Sequence, residues 1–333
     1  MQSRALLVFF LAACASSRTR SNRPLAPSDT VPAALSPGSH NVVLNGVRFY
    51  YSVSGTASAQ TPPVVFLHGG PGQGSAHFEA LAGPYMERGL RMVYYDQRGS
   101  GLSERPVNRD YAIATLVDDI EALRQELGTR TIALIGHSFG AVLALEYAAK
   151  YPDNTSHVVI VAGLWDTSVQ CPLRLARFAE LRPDVYARVR DDTLAQDGSR
   201  RNTCDIELRA RNGLGDDRRR FDRQTIFPDS GLAARLDSVN TARHVVYGVE
   251  INRAITGDVV NRYRFTQFER VTMPVLVIAG KLDGAVLPAG LRGLAEKLPH
   301  ARYVEFEKSG HFVYLDEPDR FATEVARFVQ STR

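Results

Sequence analysis

Residues 131–150 read TIALIGHSFGAVLALEYAAK, and Gly136 to Gly140 fit the pattern G-x-S-x-G. The apolar run Thr131–Ile135 before this pattern predicts a buried strand, and Ala141–Lys150 after it predicts a helix. A serine on such a strand-to-helix turn takes strained backbone angles beside glycines, and its hydroxyl stands clear of the sheet. The pattern is short enough to arise by chance, so its context carries the prediction that Ser138 is a nucleophile.

Strand and helix patterns alternate along much of the remaining chain. Short apolar runs that end in glycine-rich turns alternate with stretches whose apolar residues recur every three or four positions. We therefore expect a mostly parallel central sheet flanked by helices on both faces, which is an α/β fold. The further predicted strands are Val42–Leu44 and Val47–Val53 around an Asn45-Gly46 hairpin turn, Val64–Leu67, Arg91–Tyr95, Val158–Ala162, Pro274–Ala279 and Arg302–Phe306, and the helices are Ile113–Leu127, Ala289–Leu298 and Pro318–Val329.

The alternation stops between Gly163 and Arg270. Residues 164–269 are charged and helical in pattern, and they contain no convincing strand. We interpret them as a helical cap inserted into a core that is made of residues 40–163 and 270–333. The cap should cover the carboxyl edge of the sheet, where ligands bind in open α/β folds.

The first residues have the form of an export signal. Residues 1–14 carry one arginine and then an uncharged apolar run, which is too short to span a bilayer as a mature helix. The run ends LAAC, which resembles the bacterial lipobox, so Cys14 is the predicted lipidation site; a plain signal peptide cut nearby is the alternative. Residues 15–39 hold few large apolar side chains and predict a disordered tether. The sequence thus predicts an exported bacterial lipoprotein, facing the periplasm or the cell exterior, with the lipid as its one attachment to the membrane.

Composition and charge exclude other classes of protein. The chain of 333 residues is 44% hydrophobic and 23% charged, as globular proteins are, so wholesale disorder is excluded. Residues 170–235 hold 14 Arg against 11 Asp or Glu, a mixed surface rather than the one-sign stripe of a nucleic-acid-binding protein. Cys171 and Cys204 could pair in an oxidising compartment, and two unpaired buried thiols are the alternative. Their spacing does not fit a metal site, and we expect no bound metal.

A serine nucleophile needs a base that takes its proton and an acid that orients the base. Asp283 follows the strand Pro274–Ala279, and His311 follows the strand Arg302–Phe306. The resulting chain order, Ser138, Asp283, His311, is that of the α/β-hydrolase triad.

Residues 68–72, HGGPG, follow another predicted strand. Glycines there let the backbone approach a substrate and leave amides to point at it. We assign the oxyanion hole, which needs two such donors, to the amides of Gly70 and Phe139. His68 is interpreted as a residue that holds its loop in place.

The chain resembles the α/β-hydrolase superfamily and, within it, the proline iminopeptidase family. The resemblance rests on HGGPG at residues 68–72, on DQRGSG at residues 96–101 with Ser103, and on residues 116–127 leading to Ser138. It covers residues 42–163 and 270–330 and matches the cap poorly. It implies release of an N-terminal residue, often proline, from short peptides through an acyl-enzyme and without a metal or cofactor.

This chain departs from the family beside the nucleophile. The family usually carries Gly before the serine and Trp after it, whereas His137 and Phe139 stand here. Those two residues are common in relatives that cleave esters, lactones or amides. A carboxylesterase or lactonase with the same triad is therefore the second interpretation, and a non-catalytic binding protein on a hydrolase scaffold is the third.

An aminopeptidase also needs an anionic group for the cationic α-amino group of its substrate. In the resembled family, glutamates of the cap serve this purpose. We select Glu250 as the candidate; a surface carboxylate paired with Arg253 is the alternative. Trp165 and Phe312 are the other predicted substrate-binding residues. Asp96 is interpreted as a structural turn residue, and Asp118, Asp119 and Glu121 are expected on a helix surface without a role.

Overall fold

The computed structural model describes residues 33–58, 61–191, 201–258 and 262–331. Eight strands form one sheet in the order β1-β2-β4-β3-β5-β6-β7-β8. Of these strands, β2 alone runs against the others, since it pairs antiparallel with both β1 and β4. The predicted mostly parallel sheet is confirmed. The strands are β1 Gly38–Leu44, β2 Val47–Ser54, β3 Val64–Leu67, β4 Met92–Tyr95, β5 Ile132–His137, β6 Thr155–Val161, β7 Val275–Gly280 and β8 Ala301–Phe306.

Helices cover both faces of the sheet because alternate strand residues point in opposite directions. In β3, Val65 and Leu67 belong to one buried apolar cluster, with residues of α3, α4 and α11. Val64 and Phe66 belong to the other, with residues of α1, α2, α12 and α13. The helices are α1 Ala76–Leu81, α2 Gly83–Met86, α3 Ile113–Glu126, α4 Phe139–Lys150, α5 Thr167–Leu181, α6 Pro183–Val189, α7 Thr203–Asn212, α8 Arg218–Ile226, α9 Ser230–Ala242, α10 Val249–Asp258, α11 Pro288–Lys297, α12 Val313–Asp316 and α13 Pro318–Val329.

Regular structure begins at Ala33, inside the segment 15–39 that the sequence predicted to be a disordered tether. Leu35 is buried, and the Tyr51 hydroxyl donates a hydrogen bond to the carbonyl of Ala34 over 3.1 Å. Gly38 already pairs with Val53 across the β1–β2 hairpin. The boundary at residue 39 is therefore corrected, because one apolar side chain and the hairpin register order the segment before it. Residues 1–32, with Cys14, lie outside the described residues.

Helices α5 to α10 form the cap, and two of them are joined covalently. Cys171 on α5 and Cys204 on α7 form a disulfide. With a sequence separation of 33 residues, the bond stabilises the folded chain by about 3–4 kcal/mol in the chain-entropy model. Within the described parts of the chain, no helix is both long enough and apolar enough to cross a membrane.

Two of the three acids expected on the surface of α3 are buried instead. The Asp119 carboxylate accepts two hydrogen bonds from the Arg98 guanidinium, over 2.5 and 2.7 Å, and one from Asn45 over 2.9 Å. Glu121 lies in a second buried network with Arg124 and Tyr147. The expectation was wrong because the loop after β4 supplies Arg98 as the partner of Asp119, and because α4 packs over Glu121 and contributes the Tyr147 hydroxyl.

This arrangement makes Asp119 a strong determinant of stability. Asp119→Asn should lower the free energy of unfolding by about 3–5 kcal/mol, because the Arg98 charge stays buried without its counter-ion. The matched control is Asp118→Asn on the same helix, whose ion pair with Lys150 is half-exposed and should contribute at most about 1 kcal/mol. Urea denaturation at pH 7 measures both values. Equal losses in the two variants would contradict the buried-pair interpretation.

Candidate active site

Ser138 lies at the turn between β5 and α4 with φ 54° and ψ −116°. A non-glycine residue in such a region carries about 1–3 kcal/mol of strain and needs surrounding structure to hold it there. The Ser138 amide donates to the Val161 carbonyl over 3.0 Å, and the Ser138 carbonyl accepts from the Leu164 amide over 3.1 Å. The end of β6 and the residues that follow it thus hold both the amide and the carbonyl of Ser138.

The two glycines of the pattern are required by space. A Cβ atom on Gly136 would lie 2.5 Å from the carbonyl oxygen of Gly140, and a Cβ on Gly140 would lie 2.0 Å from that of Leu67. Real side chains do not approach backbone oxygens so closely, so only glycine lets α4 start against β3 and β5. The close packing places Ser138 at the carboxyl edge of the sheet.

The structure brings the predicted base and acid together. His311 Nδ1 lies 2.9 Å from Asp283 Oδ2, and both residues are buried. Asp283 Oδ1 accepts from the amides of Ala285 and Val286 over 2.7 and 3.0 Å. Because an ionised carboxylate only accepts hydrogen bonds, Nδ1 of His311 carries the proton and Nε2 is the basic nitrogen of the neutral ring.

Ser138 and His311 share a cavity of about 240 Å³ between the sheet edge and the cap. Core residues form one wall, and side chains of the cap segment 223–237 form the other. Such a volume suits a small acyl or aminoacyl group rather than a long chain. The lining residues are Gly70, Gln73, His137, Ser138, Arg223, Ile226, Phe227, Ala233, Leu236, Asp237, His311 and Phe312.

The two predicted oxyanion donors flank this cavity. Gly70 lines it with φ +116°, a conformation that favours glycine, and a Cβ there would lie 2.8 Å from the amide nitrogen of Gly72. Phe139 is the first residue of α4, where an amide has no acceptor in its own helix. His68 Nε2 accepts from the Gln97 amide over 3.2 Å, so His68 ties the HGGPG loop to the loop after β4.

A short cap segment, residues 225–228, is hydrogen-bonded to the loops that carry Asp283 and His311; we call it the cap strap. The Thr225 carbonyl accepts from the Gly284 amide over 2.8 Å, and the Ile226 carbonyl accepts from the His311 amide over 3.0 Å. A Cβ on Gly310 would lie 2.5 Å from Pro228 Cδ, so a glycine there lets the strap approach. The cap thereby holds the loops of both the acid and the base.

One carboxylate beside the His311 loop titrates near neutrality. Asp316 accepts from the Gly310 amide over 2.8 Å. Burial is the main cause that raises the pKa of Asp316 to about 6; the Gly310 hydrogen bond opposes the rise, and the nearby carboxylates of Glu317, Asp229 and Asp283 contribute to it. The contact to Gly310 is therefore charge-assisted above about pH 6 and an ordinary hydrogen bond below it.

Two of the predicted substrate-binding residues lie away from the cavity. Trp165 is buried, and its indole N–H donates to the Gly290 carbonyl over 2.8 Å, so it packs α11 against the core. Glu250, the candidate for the substrate's ammonium group, pairs with Arg109 over 3.4 Å and accepts from the Tyr111 hydroxyl; the alternative had paired it with Arg253. Phe312 lines the cavity and stacks on Phe227 with ring centroids 4.9 Å apart.

The structure adds polar residues that the sequence did not reveal. Arg223 on α8 and Asp237 on α9 line the cavity and form an ion pair over 2.5 Å. Gln73 lines it as well, and its side-chain oxygen is buried and has no hydrogen-bond partner among the described residues. In the described parts of the chain, no three His, Cys, Asp or Glu side chains are arranged to hold a metal ion.

The fold and this geometry agree with the comparisons. A family model described as alpha/beta hydrolase fold matches residues 62–318, so the chain belongs to the alpha/beta hydrolase family. A proline iminopeptidase of Clostridium botulinum is 27% identical over 279 residues, covering 82% of this chain and 92% of that protein. The protein is thus an alpha/beta hydrolase with distant homologues named proline iminopeptidase over most of its length.

Solved structures show the same fold. A proline iminopeptidase-related protein from Thermus thermophilus superposes with a TM-score of 0.68 at 22% identity, covering 88% of this chain and 97% of that one. An esterase from Exiguobacterium antarcticum superposes with a TM-score of 0.64 at 21% identity, covering 89% and 100%. Since these similarities concern the fold alone, the substrate must be argued from the site.

Proposed function

We propose that the protein is a serine hydrolase with Ser138 as nucleophile, His311 as base and Asp283 as the acid that orients the base. The observation that carries the proposal is the shared cavity: Ser138 and His311 line it together, and His311 is hydrogen-bonded to Asp283. A strained serine beside a correctly oriented histidine is the arrangement that activates a hydroxyl at neutral pH.

The proposed reaction has two halves. Ser138 Oγ attacks the carbonyl carbon, its proton passes to His311 Nε2, and the amides of Gly70 and Phe139 hold the negative oxygen. His311 then gives the proton to the leaving amine or alcohol as the bond to it breaks, which leaves an acyl-enzyme. Water, deprotonated by His311, attacks this ester; as the bond to Ser138 Oγ breaks and the acid is released, Ser138 Oγ takes the proton back from His311.

As substrates we propose short peptides with a free amino terminus, proline or another small residue being released. The distant homologues named proline iminopeptidase and the small cavity support this choice. The cavity also offers an anion: Asp237, on the cap wall, lines the same cavity as Ser138, whereas Glu250 is not among its lining residues. We assign the recognition of the substrate's ammonium group to Asp237, which would exchange the Arg223 guanidinium for the substrate.

The energies permit that exchange. The Arg223 and Asp237 side chains are 53% and 58% exposed. An ion pair this accessible is worth about 0–1 kcal/mol, so breaking it costs little. The side-chain oxygen of Gln73, buried without a partner at the cavity, would gain a donor from a substrate N–H group.

Ester or lactone hydrolysis is the second candidate function. The observation that favours it is the Arg223–Asp237 pair itself, because the two charges cancel and leave a cavity wall suited to a neutral substrate. The same triad and oxyanion donors would serve both reactions.

We also propose that the protein is exported and anchored through a lipid on Cys14. The disulfide between Cys171 and Cys204 supports export, because such bonds persist in oxidising compartments and are rare in the cytosol of mesophiles.

Covalent labelling tests the nucleophile. A fluorophosphonate probe should modify the wild-type protein at one residue, Ser138, and should leave Ser138→Ala unlabelled, because the adduct forms on the serine oxygen. Mass spectrometry of the intact protein and its peptides gives the stoichiometry and the position. Equal labelling of both proteins would remove Ser138 from the mechanism.

A second experiment separates the two candidate substrates. Asp237→Asn should lower kcat/KM for proline 4-nitroanilide about ten- to hundredfold, the value of one charge-assisted hydrogen bond, and should change hydrolysis of neutral 4-nitrophenyl acetate less than threefold. Glu250→Gln is the matched control and should leave both activities near wild type. If only the ester is cleaved by the wild type, the esterase function stands; if Glu250→Gln alone shows the amine-specific loss, the assignment to Asp237 is wrong.

Anchoring is tested in cells. The wild-type protein should partition into detergent after membrane extraction, and Cys14→Ser should move it to the soluble fraction or leave it unprocessed, since the thioether-linked lipid can no longer form. Immunoblots of the fractions and the mass of the mature N-terminus give the result. A wild-type protein free of membranes with an unmodified N-terminus would refute the proposal.

A further inference from the structure

Three buried polar rings connect helix α1 to the backbone of His311. His77 Nε2 on α1 lies 3.0 Å from the Tyr314 hydroxyl on α12. That hydroxyl lies 3.4 Å from His137 Nδ1 at the end of β5. His137 Nε2 lies 3.0 Å from the carbonyl oxygen of His311. His77, Tyr314 and His137 are each at most 1% exposed.

The last acceptor fixes the direction of every hydrogen bond. A carbonyl oxygen can only accept, so His137 Nε2 carries a proton and donates a hydrogen bond to the His311 carbonyl. In a neutral ring Nδ1 is then an acceptor, and it takes the hydroxyl proton of Tyr314. The Tyr314 oxygen in turn accepts from His77 Nε2. Each link thus polarises the next one in the same sense.

The rings carry no charge at neutral pH. Burial lowers the pKa of His137 well below its ordinary value, and the neighbouring histidines lower it further. Burial also lowers the pKa of His77 to about 3 and raises the pKa of the Tyr314 phenol well above its usual range. Any effect of the three rings on catalysis therefore acts through geometry rather than through an electric charge.

Apolar packing confines the rings to this arrangement. The Tyr314 ring lies 4.6 Å from that of Phe78 and 5.8 Å from that of Phe312, measured between centroids. The His137 ring lies 4.9 Å from that of Phe312. Polar atoms in such surroundings are costly unless they are paired, so the paired state is strongly preferred.

We propose that His77, Tyr314 and His137 form a positioning chain that fixes the main chain of His311 relative to Ser138. His137 is covalently attached to Ser138, so a bond from its ring to the His311 carbonyl joins the nucleophile directly to the base. A displacement of about 1 Å between two reacting groups costs on the order of a hundredfold in rate. The inference rests on the proposed roles of Ser138 and His311, and it assigns no chemical step to the three rings.

Tyr314→Phe is the direct test, because it removes one oxygen and keeps the aromatic packing. Both the rate constant and the final stoichiometry of fluorophosphonate labelling are measured from pH 5 to 9. We expect a rate constant about ten- to a hundredfold lower at every pH, with full stoichiometry and an unchanged midpoint of the pH profile. A merely structural role would instead lower the labelled fraction and leave the rate of the remaining sites as in the wild type.

Variants of His137 supply the rescue and the control. Gln places its amide nitrogen where His137 has Nε2 and can still donate to the His311 carbonyl, whereas Leu cannot. His137→Gln, which keeps the bond to the His311 carbonyl but lacks the acceptor for Tyr314, should therefore label at about the rate of Tyr314→Phe, and His137→Leu, which loses both bonds, should be slower still. The control is His157→Gln, another buried histidine, which lies near the start of β6 at the opposite end of the sheet and should label like the wild type.

The outcomes separate this inference from the proposed function. Absence of labelling in the wild type would refute the proposed function itself. Labelling of the wild type together with wild-type rates in Tyr314→Phe and His137→Leu would overturn the positioning chain alone. A shifted midpoint of the pH profile would also overturn it, because it would mean that the rings contribute charge.

Discussion

The close approach of α4 to the strands beneath it is the constraint on which the structure depends. Gly140 lies so near the Leu67 carbonyl that no side chain fits between them, and this contact pulls the start of the helix onto the sheet. The turn that results holds Ser138 at a positive φ, and the hydrogen bonds to Val161 and Leu164 maintain it. The strain is tolerated only because β3, β5 and β6 are buried on both faces and cannot relax.

The proposed base is held in a different way, by three separate partners. Asp283 holds the His311 ring, the Ile226 carbonyl holds its amide, and the His137 ring holds its carbonyl. These partners come from the core loop after β7, from the cap and from the strand that precedes the nucleophile. A histidine on a loop can thereby be placed as firmly as one on a strand, which is what proton transfer over a hydrogen-bond distance needs.

The structure brings together residues that the sequence ties to strand ends, whereas the faces of helices were misjudged. Asp283 and His311 could be assigned from their order, because Asp283 follows the buried strand β7 and His311 follows the edge strand β8. Arg223 could not, because α8 buries none of its residues and its sequence does not mark the side that faces the cavity. Asp237 could not either, because the buried residues of α9 show which side packs but not that Asp237 reaches the cavity. Glu250 was selected for its apolar neighbours, but adjacent helical residues point about 100° apart, so Ile251 is buried while Glu250 faces Arg109. Asp119 was misjudged likewise, since its partner Arg98 comes from a distant loop.

The cap strap limits which caps could replace the present one in an engineered variant of this protein. Its carbonyls satisfy the amides of Gly284 and His311, so exchanging residues 164–269 for an unrelated cap would leave two backbone donors beside the catalytic residues without acceptors. The cap is therefore not an interchangeable module, although it is an insertion in the chain. New specificities are more accessible through side chains of α8 and α9 that point into the cavity, because such changes leave the strap backbone intact. A chimaera that retained residues 225–228 and replaced the helices around them would keep both loops anchored.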